Sequence, residues 1–166
     1  MTENLSYGQY TQDNLVQTDN CVVQKYCQDN DLTKCSAAGG YYQWNELIQY
    51  GITSYPYQGL CPPGWHLPTA VEWQDLIDNQ VNPGNGLAGG DLKSPGFGFD
   101  ALLNGMYYQN YTWRFTSGTL TATMFWTSTT SGTVRAVARG LNNYSSGVLL
   151  YPSSRANAFP VRCVKD

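Results

Sequence analysis

Charge is what this chain has least of. Only 13% of its 166 residues are Asp, Glu, Lys or Arg, and 12 acidic against 9 basic side chains leave a net charge of −3. A nucleic-acid binder normally needs a Lys/Arg surplus to neutralise phosphates, so that partner class is excluded. A single histidine leaves no His-based metal site, and no CxxC spacing offers a zinc ligand set. No apolar run is long enough to cross a bilayer, which excludes insertion by a helix. A charged n-region and apolar h-region are both missing from Met1–Leu5, so no signal peptide is read there.

What is present instead is glycine (17 residues) and tyrosine (13), with abundant Ser, Thr and Asn. That profile suits a loop-rich, aromatic-packed extracellular domain. The length fits one domain over 1–166, able to bury about two-thirds of its unfolded surface. Five cysteines permit two disulfides and leave one over. Cys27 and Cys35 bracket a polar loop that a bridge could staple, and a Cys61–Cys163 bond would tie the chain end to its middle. The competing reading is five buried free thiols.

Helical spacing of Tyr41, Trp44, Leu47 and Ile48, stopped by Gly51, predicts a helix over 41–50. Thr69-Ala-Val-Glu72 is a capping box that opens a second helix carrying Val71, Trp73, Leu76 and Ile77, ending before Pro83-Gly84. Short alternating or aromatic runs at 99–103, 106–115, 124–128, 134–141, 147–151 and 159–164 read as strands. Residues 1–35 read as extended segments and polar loops. The expected class is α+β, two helices on antiparallel sheets with long loops.

Several strings together carry a resemblance. They are Gly39-Gly-Tyr-Tyr-Gln-Trp-Asn-Glu46, Gln58-Gly-Leu-Cys-Pro-Pro-Gly-Trp-His-Leu-Pro-Thr69 with Glu72-Trp73, and Ala88-Gly-Gly-Asp-Leu-Lys93. Phe125-Trp-Thr-Ser-Thr129 and Val161-Arg-Cys-Val-Lys-Asp166 complete the set. In this order they resemble the Fibrobacter succinogenes major paralogous (FISUMP) domain, a secreted bacterial module. The resemblance implies a C-type-lectin-like fold, related to that of formylglycine-generating enzyme, with helices and disulfides supporting a sheet and exposed ligand loops. It includes Cys27–Cys35 as a local pair. Met1–Leu5 resembles a string internal to that domain, which implies a trimmed N-terminus and a partner of Cys21 left behind.

A further absence marks the tail: from Ser131 to Phe159 there is no Lys, Glu, Gln, Asp, Met or Trp. Variable proteins of diversity-generating retroelements share the lectin-like fold and vary mainly at Asn codons. Randomising the first two letters of such codons cannot give Lys, Glu, Gln, Met or Trp. On that pattern Val137, Ala138, Gly140, Asn142, Asn143, Tyr144, Leu149, Tyr151, Pro152 and Ser153 are the candidate ligand-binding residues. Arg139, Leu141, Gly147, Val148, Ala156 and Phe159 read as frame. Tyrosine supplies contact area at low entropy cost while Ser, Gly and Asn adapt their hydrogen bonds, the composition of a paratope. The competing reading is an ordinary polar sheet face.

Catalytic candidates are few. His66, between Trp65 and Leu67, reads as structural, Glu72 as part of the capping box, and Glu46 as the solvent side of its helix. Asp29, Asn30 and Asp31 lack the ligand count of a calcium loop. The sugar-binding motifs of calcium-dependent lectins are missing. Formylglycine-type chemistry needs a reactive cysteine pair near the C-terminus, where only Cys163 lies. The expectation is therefore a non-enzymatic, cofactor-free module on a cell or virion surface, binding a protein or glycan. Its alternatives are an adhesion module with a fixed partner and an enzyme of the formylglycine-generating type.

Overall fold

Glycine, proline and asparagine punctuate the chain so often that its elements are short. The computed structural model describes residues 1–51, 57–79, 87–110, 112–114 and 121–166. In order these form β1 (Gln9–Tyr10), β2 (Gln24–Lys25), α1 (Leu32–Ala38), β3 (Tyr42–Gln43), α2 (Trp44–Leu47), β4 (Trp65–His66), α3 (Ala70–Asn79) and α4 (Ala88–Lys93). There follow β5 (Met106–Tyr108), β6 (Thr112–Arg114), β7 (Ala122–Thr130), β8 (Arg135–Asn142), β9 (Leu149–Ser154), β10 (Ala158–Phe159) and β11 (Val164–Lys165).

The class is α+β. The strands order as β3-β10-β5-β6, β7-β8-β9 and β11-β4, with a separate β1-β2 pair. Every named pairing is antiparallel except β1 with β2. The β7-β8-β9 sheet organises the core because it is covered on both faces. Met124, Trp126, Ala136 and Ala138 join a cluster with Tyr42, Trp44, Leu67 and Phe159. Phe125 and Leu141 point the other way, into Trp73 and Leu92. Two buried faces explain why Thr123 to Ser128 are buried without a break, with Met124, Phe125 and Trp126 consecutive, rather than in alternation.

Both expected disulfides are present. Cys27–Cys35 spans 5.1 Å and Cys61–Cys163 spans 5.8 Å between Cα atoms, while Cys21 is free and exposed. They fit an oxidising, extracellular compartment. Among the described residues no helix is long and apolar enough to cross a membrane.

Several expectations need correction. Four helices are described rather than two. The missed α1 buries only Cys35 and Ala38, too little for a visible stripe; Asp31 caps it by accepting from the Thr33 N–H. The helix expected over 41–50 shrinks to α2, because Tyr42 and Gln43 pair with Phe159 and Ala158 as strand. Glu46 is buried rather than solvent-facing: it accepts from the Gln24 N–H and the Tyr50 hydroxyl, and burial pushes its carboxyl pKa up. No strand forms over 99–103. The Phe99 carbonyl instead accepts from the buried Arg162 guanidinium, and Ala101 N–H donates to Leu92. The expected helix end at Pro83-Gly84, and Tyr111 and Phe115 of the expected 106–115 strand, lie outside the described residues.

Candidate functional site

Strand alternation sorts the tail into two faces. Cross-strand partners share a face, so the pairs Ala122–Asn142, Met124–Gly140 and Gly140–Leu149 place these residues together, and Ala138–Tyr151 extends the row. Toward the chain's centre this face is roofed by the main core. At its other end it opens as a groove of about 240 Å³, lined by Met106, Tyr108, Met124, Leu149, Tyr144 and Tyr151, with Gly140 and Asn142 beneath.

The ten residues read from the tail divide evenly. Asn143 and Pro152 are exposed, as are Tyr144 (71%), Leu149 (50%) and Tyr151 (56%). Val137, Ala138, Gly140, Asn142 and Ser153 are buried. Ala138 is sealed beneath the core, and the Ser153 hydroxyl accepts from Asn157 Nδ2. Val137 lies on the opposite face, paired with Pro152. Tyr144, Leu149, Tyr151, Gly140 and Asn142 thus come together around one groove; the other five do not line it. Leu150, 54% exposed, was missed. Its signal was the Leu149-Leu150-Tyr151-Pro152 run on an edge strand, where both faces meet solvent.

The frame beneath is firmly tied. Arg139 is buried, and its guanidinium donates to the Ala70 carbonyl and Gln74 Oε1, fastening β8 to α3. Lys93 donates to the carbonyls of Asn142 and Ser145, so α4 holds the loop that presents Tyr144. Burial lowers the pKa of both groups. Gly90 N–H donates to Ser146 O at 3.1 Å, and a Cβ on Gly89 would stand 2.3 Å from Gly147 O. Gly89→Ala must therefore push the loop off α4. It is expected to cost about 1–3 kcal/mol in a denaturant melt, with amide shifts concentrated at 143–148.

His66 sits away from the groove. Its Nδ1 lies 2.6 Å from Asp166 Oδ1 and its Nε2 2.7 Å from Glu72 Oε1, while Glu72 also accepts from the Thr69 N–H and hydroxyl. The imidazole thus clamps the chain end against the first turn of α3. Burial pulls its pKa down, but the hydrogen bonds to Asp166 and Glu72 outweigh this and raise it above 6.5. For Glu72, burial raises the pKa, and bonds from Thr69 and His66 outweigh that and bring it below 4.5. The raised histidine stabilises the fold fully below pH 6.5 and ceases to do so as pH rises through its folded value. The lowered glutamate contributes above pH 4.5 and fades as pH falls through its folded value. Urea melts should show an alkaline loss of stability starting near neutral pH that His66→Gln lacks.

Asp29, Asn30 and Asp31 are each engaged within the protein, with Lys34, Asp13 and Thr33 respectively. A larger hollow of about 640 Å³ lies against α3, between Trp65, Trp73, Leu76 and Phe99. It contains none of the ten tail residues, so the groove over Gly140 is the candidate site. The family model of the Fibrobacter succinogenes major domain matches residues 1–165. No curated protein and no solved structure matches the chain. A match of that extent means that the chain belongs to the Fibrobacter succinogenes major domain family.

Proposed function

We infer, for this member of the Fibrobacter succinogenes major domain family, a non-enzymatic binding module of C-type-lectin-like fold. It is displayed outside the cell, on a cell or virus-particle surface. The observation that carries this is the group Tyr144, Leu149 and Tyr151, exposed around one groove over a hydrogen-bonded frame, with Leu150 exposed on the other face of the same strand. Large apolar groups held out in water suit a contact surface, and tyrosine ordered in advance loses little entropy on binding. The partner is a protein or a glycan, and no cofactor enters. Diversification by a retroelement is in keeping with the absence of Lys, Glu, Gln, Met and Trp from 131–159.

Sister copies of the gene test this. Substitutions are expected at Asn143, Tyr144, Leu149, Tyr151 and Pro152, confined to residues that altered Asn codons encode, with Trp126, Arg139, Leu141 and Cys163 constant. Changes spread evenly over core and surface would contradict the reading. A second reading, an adhesion module with one fixed partner, is favoured by the burial of Val137, Ala138, Gly140, Asn142 and Ser153, where free variation would disturb packing. Constancy of the exposed residues in all copies would select it.

A further inference from the structure

The groove over Gly140 is more specific than a general contact surface requires. Its floor is the point where β8 carries no side chain. A Cβ on Gly140 would sit in ordinary contact with Leu149 Cβ at 3.4 Å and Met124 Cγ at 3.8 Å, so its absence leaves a gap between those two side chains. Gly140 is not among the positive-φ glycines, so the backbone does not demand it. What its lack of a side chain provides is space.

Asn142 supplies the second observation. It is 2% exposed, shares the groove's face through its pairing with Ala122, and its Oδ1 has no hydrogen-bond partner among the described residues. A buried acceptor left unpaired is costly, and a ligand donor that reaches it recovers the loss. The lining side chains Met106, Tyr108, Met124, Leu149, Tyr144 and Tyr151 carry no formal charge. Thioethers are soft and adaptable against aromatic rings. Leu149 and Tyr144 are half or more exposed at the lip, free to turn aside for an entering group.

We propose that this groove is a socket for one bulky, uncharged side chain of a protein partner that carries an N–H, tryptophan foremost. Its ring lies between Met124 and Leu149 and its N–H donates to Asn142 Oδ1. A sugar fits less well: it offers hydroxyls around its whole rim, whereas on the face that carries Gly140 the orphan acceptor is Asn142 Oδ1 among thioether, aliphatic and aromatic walls, the unpaired Thr123 Oγ1 lying on the opposite face with Leu141. The proposal rests on reading the tail surface as ligand-binding, and names what one part of that surface takes.

The probes are N-acetyl-tryptophanamide, its N1-methylindole analogue and methyl glycosides, each titrated into the whole chain and followed by amide NMR. The tryptophan amide is expected to shift residues 124, 140, 142, 149 and 151 saturably. Methylation of the indole nitrogen should weaken binding about fivefold or more, because a site with an unpaired polar group discriminates against a ligand lacking the donor. Gly140→Leu should abolish the shifts while a melt shows the fold retained. Equal affinity for the methylated analogue overturns the proposal, as does the absence of saturable shifts from the tryptophan amide with wild-type protein. Binding of the glycosides in its place also overturns it, yet leaves the ligand surface standing. The surface reading is decided separately by partner affinity in Tyr144 and Tyr151 variants, so the two failures are distinguishable.

Discussion

Replacing Cys61 and Cys163 together by alanine is expected to lower the stability by about 4–5 kcal/mol, the chain-entropy value for a loop of this length. The two are 102 residues apart in sequence, and both are buried in the main core. The bond acts beside a weak element: β11 is two residues long and, among the described residues, pairs with β4 alone, through Val164–His66 and Lys165–Trp65. The His66 clamp and the bond from Asp166 N–H to the Gly64 carbonyl add to the same seam. Without the covalent tie, the denatured chain regains its loop freedom and the seam must hold through these contacts alone. A midpoint drop of roughly 10–20 °C corresponds to this loss. Thermal melts of the double variant measure it, and Cys27→Ala/Cys35→Ala, which opens a loop of separation 8, should cost less. A larger loss from the short loop would show that local order around α1, not loop closure, sets the effect.

Local chemistry made part of this structure legible. The capping box at Thr69 and Glu72 is formed as read, with Glu72 N–H donating to Thr69 Oγ1 and Thr69 N–H to Glu72 Oε2. The long late strands were also legible, because Phe125, Trp126 and the run through β8 carry enough apolar side chains to show. Short elements were not. β3 and β10 are two residues each and exist because Tyr42 and Phe159 pair across 117 positions of chain, which no local pattern encodes. Glu46 was misread for a similar reason: its partner is the backbone of Gln24, brought close only by folding.

The candidate site was half legible. Residue types missing from 131–159 marked the segment, but composition cannot say which side of a strand faces water. Alternation could have separated Leu149 and Tyr151 from Pro152. It could not foresee that the same face of β8 is sealed at Ala138 and open at Gly140, since that depends on where Trp126 and Phe159 stop covering the sheet.

Replacing Tyr144 and Tyr151 together by alanine is expected to cost the largest share of partner affinity. Each ring is more than half exposed, so little packing is lost in the free protein. Tyrosines central to a contact commonly contribute about 2 kcal/mol or more apiece, and the pair should weaken binding on the order of 100- to 1,000-fold. Neither residue is part of a buried cluster, so the melting temperature should hold to within about 2 °C, the scale of an exposed-surface substitution. Leu150→Ala, on the opposite face of the same strand, should weaken binding less if the groove side dominates. The decisive measurement is a paired one on the Tyr144→Ala/Tyr151→Ala variant: affinity for a cell or particle surface that retains the wild-type domain, and melting temperature. The account predicts a loss of affinity of about 100-fold or more at unchanged stability. Unchanged affinity, or unfolding of the variant, would contradict it.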